Sequence, residues 1–95
     1  MKNIGLDTHS TTTVATVLSD HGRKILQRRI PTREFDLIDF MRSISGPKRV
    51  ALEENQLADF VTRVIAPYTT EVSQLAIQRI LARPFGVKKQ PRVIR

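Results

Sequence analysis

Residues 31–53 read Pro-Thr-Arg-Glu-Phe-Asp-Leu-Ile-Asp-Phe-Met-Arg-Ser-Ile-Ser-Gly-Pro-Lys-Arg-Val-Ala-Leu-Glu. Their hydrophobic rhythm changes twice, and the two changes decide the fold. Leu37, Phe40, Met41 and Ile44 recur at helical spacing, with Asp36, Asp39 and Arg42 mostly off that stripe, which predicts a helix over 33–45. Thr32 stands where an N-cap belongs, because its hydroxyl can accept from a free amide of the first turn. Ser45-Gly46-Pro47 stops the helix and turns the chain. Lys48 to Glu53 then reads as a strand. A helix set between two strands at this length implies a parallel pairing through a right-handed crossover.

Upstream of this unit the period is two. Residues 2–8 predict a first strand, with Ile4 and Leu6 on one side and Gly5 and Asp7 on the other. Residues 12–18 are rich in β-branched types and predict a second. His9-Ser10-Thr11 between them is turn-sized. Asp20-His21-Gly22 is a hairpin signal, since glycine takes positive φ at little cost. Residues 23–30 alternate as a half-exposed third strand. Downstream, Asn55 is placed to cap a second helix running through Ala66. Leu57, Phe60, Val61, Val64 and Ile65 give it an apolar stripe, and Pro67 lies at its end. The order β-β-β-α-β-α predicts an α/β domain with a mixed sheet, a meander at one edge and parallel strands beyond it. Residues 71–75 suit a fifth strand, but 72–83 equally suit a helix. Pro84, Gly86 and Pro91 mark the remainder as loop or tail.

The composition narrows the function classes. A chain of 95 residues holds one small domain. Cysteine is absent, so disulfide scaffolds and thiolate zinc sites are excluded. The two histidines, His9 and His21, are too few for a histidine-built zinc centre without carboxylate help. No apolar run approaches the roughly 20 residues that span a bilayer, and no apolar signal core follows Lys2, so no membrane partner is expected and the cytoplasm is the expected location. The net charge of +7 is unevenly spread. Residues 1–71 carry 10 Lys/Arg against 9 Asp/Glu, whereas residues 72–95 carry six Lys/Arg and no acid. The division predicts a near-neutral body over 1–72 and a basic tail over 73–95. Arg79, Arg83, Lys88, Lys89, Arg92 and Arg95 in the tail are candidate contacts to nucleic-acid phosphates, in a salt-dependent and sequence-blind manner.

Two carboxylates are candidates for chemistry. Asp7 ends the first strand and Glu53 ends the fourth. In open sheets with parallel strands, sites collect outside those ends. If the two strands are neighbours, the carboxylates repel one another and a bound Mg²⁺ or Mn²⁺ relieves the repulsion. Such ions activate water and stabilise the leaving oxygen of a phosphodiester. Each residue also has a plainer reading. Asp7 suits a strand-end turn, and Glu53 suits the approach to a helix N-terminus. His9 and the hydroxyls of Ser10, Thr11 and Thr12 stand nearby as contacts or as turn residues. Phe35, Phe40 and Phe60 read as core or near-core, which leaves no evident base-stacking platform. No nucleophilic triad, phosphate loop or zinc spacing is present.

The segments Ile4-Gly5-Leu6-Asp7-Thr8-His9, Val14-Ala15, Asp20-His21-Gly22 and Val50-Ala51-Leu52-Glu53 together resemble the N-terminal catalytic domain of the insertion sequence one-ten family of DEDD transposases, which is RuvC-like and ribonuclease-H-like. The similarity covers about residues 1–72. It implies DNA transposition and recombination, with DNA and a structured RNA as partners and oligomers as an available state. It also implies a Mg²⁺ site of four carboxylates, in which Asp7 matches the first aspartate and Glu53 the glutamate. Both are thereby catalytic and metal-ligating candidates. The sequence departs from the pattern at Ser10, where a lysine is usual, and at Glu54-Asn55-Gln56, where a Thr-Gly pair is usual. No acid follows Glu71, so neither later aspartate is present, and the serine-bearing domain of the family is missing. The expectation is a truncated transposase, inactive alone. A non-catalytic nucleic-acid binder acting through the basic tail is the alternative. An actin-like ATPase fragment fits less well, because His9-Ser10 lacks the glycine that lets backbone amides approach a phosphate.

Overall fold

A computed structural model describes residues 1–75. Five strands and two helices follow one another as β1 (Lys2–Thr8), β2 (Thr12–Leu18), β3 (Lys24–Pro31), α1 (Glu34–Ser43), β4 (Lys48–Glu53), α2 (Ala58–Ile65) and β5 (Glu71–Leu75), with a 3-10 turn at Ala66–Tyr68 before β5. The strands form one mixed sheet in the order β3-β2-β1-β4-β5. β1 pairs antiparallel with β2, and β2 with β3. β4 pairs parallel with β1 and with β5. The fold is therefore mixed α/β. β5 resolves the choice at 71–75 in favour of a strand, and residues 73–75, assigned to the tail by charge, complete the sheet.

Period-two alternation fixes which face of the sheet is buried. Ile4 and Leu6 of β1, Ala15 and Val17 of β2, Ile30 of β3, and Val50 and Leu52 of β4 lie beneath the helices. Leu37, Phe40 and Met41 of α1 and Ala58, Val61 and Ile65 of α2 close over them. A buried side chain of this kind contributes roughly 1.5–3 kcal/mol through removal from water. Gln74 of β5 also faces the helices, and its amide nitrogen donates to Asp59 Oδ1 (3.2 Å) and Thr62 Oγ1 (3.0 Å), tying the edge strand to α2. Among the described residues no buried side-chain nitrogen or oxygen lacks a hydrogen-bond partner. Both helices share this one side, so the opposite face carries no layer of described residues. No described helix is long and apolar enough to cross a membrane.

Four local expectations need correction. α1 is shorter than 33–45 because Ile44 leaves the helix with φ −98° and ψ 114°, though it remains in the core. Thr32 does not cap α1. Its hydroxyl donates instead to the His9 carbonyl at 2.7 Å, and Arg33 holds the N-cap position with no side-chain cap. α2 begins at Ala58 because Asn55 folds an Asx turn first, with the Leu57 amide donating to Asn55 Oδ1 at 2.9 Å. Phe35 is 77% exposed and is no part of the core, unlike Phe40 at 3%. The α1 stripe runs through 37, 40 and 41, which leaves position 35 off it. The two glycine turns match expectation, with φ +81° at Gly22 and +84° at Gly46.

Candidate functional site

β1 and β4 are adjacent and parallel, in register from Lys2 opposite Lys48 to Leu6 opposite Leu52. The next positions are Asp7 and Glu53. Leu6 and Leu52 point into the core, so alternation turns both carboxylates to the open face. Adjacent strands lie about 5 Å apart, which brings the two backbones close at the carboxyl ends. The β1–β4 ladder stops at this level. β1 goes on pairing with β2 through Thr8–Thr13, and β4 with β5 through Glu53–Leu75. Asn55 spans the interval. Its amide nitrogen donates to the Thr8 carbonyl (3.4 Å) and to Thr8 Oγ1 (3.3 Å). One side chain thus joins the end of β1 to the entry of α2.

Asp7 is 62% exposed at its side chain, and His9 Nε2 lies 3.1 Å from its Oδ1. The contact orients the carboxylate, but exposed pairs of this kind contribute little to stability. Among the described residues no group of three or more His, Cys, Asp or Glu side chains converges. Asp7, Glu53 and His9 therefore do not form a three-ligand cluster. Asp7 and Glu53 supply hard oxygen donors of the type Mg²⁺ selects. Mg²⁺ is commonly held by one or two carboxylates, completing its shell with water and substrate phosphate. Two carboxylates suit one such ion and fall short of a two-ion arrangement.

The turn that carries His9 is held from below. The His9 amide donates to the Thr12 carbonyl (3.1 Å), and the Thr32 amide donates to the Thr11 carbonyl (3.0 Å). The Thr32 hydroxyl spends its one hydrogen on the His9 carbonyl. The 2.7 Å contact between the Thr13 and Thr32 hydroxyls must then have Thr13 as donor. Thr13 is fully buried, so this chain of hydroxyls anchors an exposed turn in the core.

The open face around the carboxylates is shallow and cationic on one side. Gln27, Thr16, Gly5, Ala51 and Ser73 form one row across the five strands by register. A Cβ built on Gly5 would meet nothing within 4 Å. The row above it runs Arg29, Val14, Asp7. Beside it Thr11, Thr12, Arg29, Ile30, Pro31 and Arg33 line a cleft of about 330 Å³. A second cleft of about 330 Å³ lies at the opposite end of β1, among Met1, Asp20, His21, Ile25 and Pro47, remote from both carboxylates.

Asp7 and Glu53 therefore follow the last paired residues of two neighbouring parallel strands, on the open face at the carboxyl ends of both strands. Arg79, Arg83, Lys88, Lys89, Arg92 and Arg95 lie outside the described residues. Sequence reasoning missed Asn55 as a bridge, Thr32 as an anchor, and Arg29 and Arg33 as cations of the site. A signal for the last was present: five cations and no acid fall within residues 21–33. No family model and no curated protein matches the chain.

Proposed function

We propose that Asp7 and Glu53 form the first half of a metal-dependent DNA strand-processing site of ribonuclease-H-like character, as in the DEDD transposases that the sequence resembles. One observation carries the reading: the two carboxylates are the first residues beyond the last register pair, Leu6 opposite Leu52, at the carboxyl ends of adjacent parallel strands and on the same open face. The sheet is of the mixed type that the resemblance implies, which supports it further.

In this reading Asp7 and Glu53 together hold one Mg²⁺, and His9 keeps Asp7 in position. When bound, the ion supplies Lewis-acid activation of a phosphodiester and of water. Asn55 fixes the end of β1 against the entry of α2 and so sets the spacing of the two ligands. No acidic residue follows Glu71 within these 95 residues. The remaining carboxylates, and the serine-bearing domain of the family, must then come from outside the sequence given, for instance from a second chain. DNA is the substrate, with a structured RNA as a further partner by resemblance.

The test is Mn²⁺ titration followed by amide NMR. Broadening should centre on residues 6–9 and 52–55 and disappear in Asp7→Asn and in Glu53→Gln. Broadening centred elsewhere, or unchanged in both variants, would end this reading.

A further inference from the structure

The near-neutral body conceals a charge separation. Arg23, Lys24, Arg28, Arg29 and Arg33 fall within residues 21–33, which hold no acid. The rest of residues 1–75 carries five cations and nine acids. β3 is therefore a positive edge on an otherwise negative body. Among the described residues, none of these five cations is in an ion pair. Lys24 donates only to the neutral Gln27 amide oxygen, at 3.3 Å. Arg28 lies over the Phe40 ring at 5.8 Å, on the helix side.

Arg29 lies on the other side, the face of Asp7. It sits opposite Val14, which sits opposite Asp7, so two strand spacings, about 10 Å, separate it from the carboxylate. It shares its cleft with Arg33 and with Thr11 and Thr12. Two guanidiniums beside two hydroxyls match the acceptor-rich geometry of a phosphodiester, which Arg engages in bidentate fashion. Phe35 adds a second observation of a different kind. It stands two residues beyond Arg33, in the first turn of α1, and is 77% exposed. A solvent-facing aromatic ring next to phosphate-binding cations is the combination used to hold unpaired bases.

We propose that Arg29, Arg33, Thr11 and Thr12, with Phe35 beside them, bind single-stranded nucleic acid, the phosphates in the cleft and a base on the ring. The strand then runs from the β3 edge across the shallow row at Gly5 toward Asp7 and Glu53. That direction rests on the proposed DNA-processing role. The binding itself does not.

The experiment is fluorescence anisotropy of a labelled oligothymidine with the full chain, over a salt series in EDTA. Metal is absent, so failure of the carboxylate reading leaves this readout untouched. Arg29→Gln/Arg33→Gln should weaken binding and reduce the slope of log affinity against log salt by about 1.4, the loss of two single-strand phosphate contacts. Phe35→Ala should weaken binding on the order of tenfold with the slope unchanged. Arg42→Gln/Arg63→Gln removes the same charge from the helix layer and should leave affinity and slope near those of the parent. The cations of residues 79–95 are common to all variants and cancel. Parental binding by Arg29→Gln/Arg33→Gln overturns the proposal, and so does an equal loss in Arg42→Gln/Arg63→Gln. A silent Phe35→Ala overturns the single-strand assignment.

Discussion

Replacing Thr32 by valine should damage the turn beneath the candidate site, and the size of the damage should depend on what stands at position 13. In the parent, Thr13 donates to Thr32, and Thr32 donates to the His9 carbonyl, each at 2.7 Å. Thr13 is completely buried, whereas the His9 turn is exposed. Thr32→Val therefore strands the Thr13 hydroxyl where no water reaches it, while the His9 carbonyl turns to solvent. A buried hydroxyl left unpaired costs about 1–3 kcal/mol. Thr13→Val alone costs less, about 1 kcal/mol or below, because Thr32 keeps its bond to His9 and its free lone pair is partly exposed. The double variant contains no stranded hydroxyl, so the second substitution should restore about 1 kcal/mol of what Thr32→Val removed. For a domain of this size each kcal/mol corresponds to about 4–8 °C in the melting midpoint. Urea and thermal unfolding of the four proteins, followed by circular dichroism, close the cycle. Additive losses, with the double variant weaker than either single one, would falsify the assignment of donor and acceptor along this chain.

Two further predictions concern the rest of the fold. The N-terminal ammonium of Met1 hydrogen-bonds Asp20 and holds its carboxyl below the ordinary value of 3.8. As pH falls, the unfolded chain takes up this proton first, so the stabilisation is full at neutral pH and is lost as pH drops through the depressed pKa. Asp20→Asn should lower the melting midpoint at neutral pH and converge on the parent in strong acid; a constant difference across that range contradicts the pairing. Gly46 and Gly5 should respond oppositely to alanine, since neither Cβ meets an atom within 4 Å and only Gly46 has positive φ, at +84°. Gly46→Ala should lose about 1–2 kcal/mol to backbone strain, and Gly5→Ala should gain about 0.5–1 kcal/mol of strand stability. Equal effects in unfolding experiments would remove the backbone explanation.

The strands were legible because each declares itself locally. β1, β2 and β4 fall where alternation and β-branching place them, and the helical stripe through Leu37, Phe40 and Met41 marks α1. The crossover through α1 implies only that β4 runs parallel to the strand before it; that β4 docks beside β1, with Asp7 and Glu53 at the same end of the sheet, is decided by tertiary packing. What escaped were decisions made by tertiary partners. Thr32 has the chemistry of a cap, but a carbonyl 23 positions earlier in the chain takes its hydroxyl. Asn55 has the chemistry of a cap too, and it closes a preliminary turn while its nitrogen reaches β1. Phe35 looked like core by residue type, yet its angular position on α1 turns it outward. The basic segment at β3 was visible as alternation and overlooked as charge, because the sum over the body came close to zero.

The parallel pairing of β1 with β4 has a kinetic side. β1, β2 and β3 join through short turns, so their contacts close at small loop-entropy cost and form early. Asp7 and Glu53 are 46 positions apart and come to the same end of the sheet only when β4 has docked beside β1. The hydroxyl chain from Thr13 through Thr32 to His9 needs only the meander and the residue that follows it. The turn beside Asp7 is thus in place before its partner carboxylate arrives. A chain still being synthesised, or one in which β4 has detached, keeps a shaped turn and a lone aspartate without the second carboxylate that the proposed site needs.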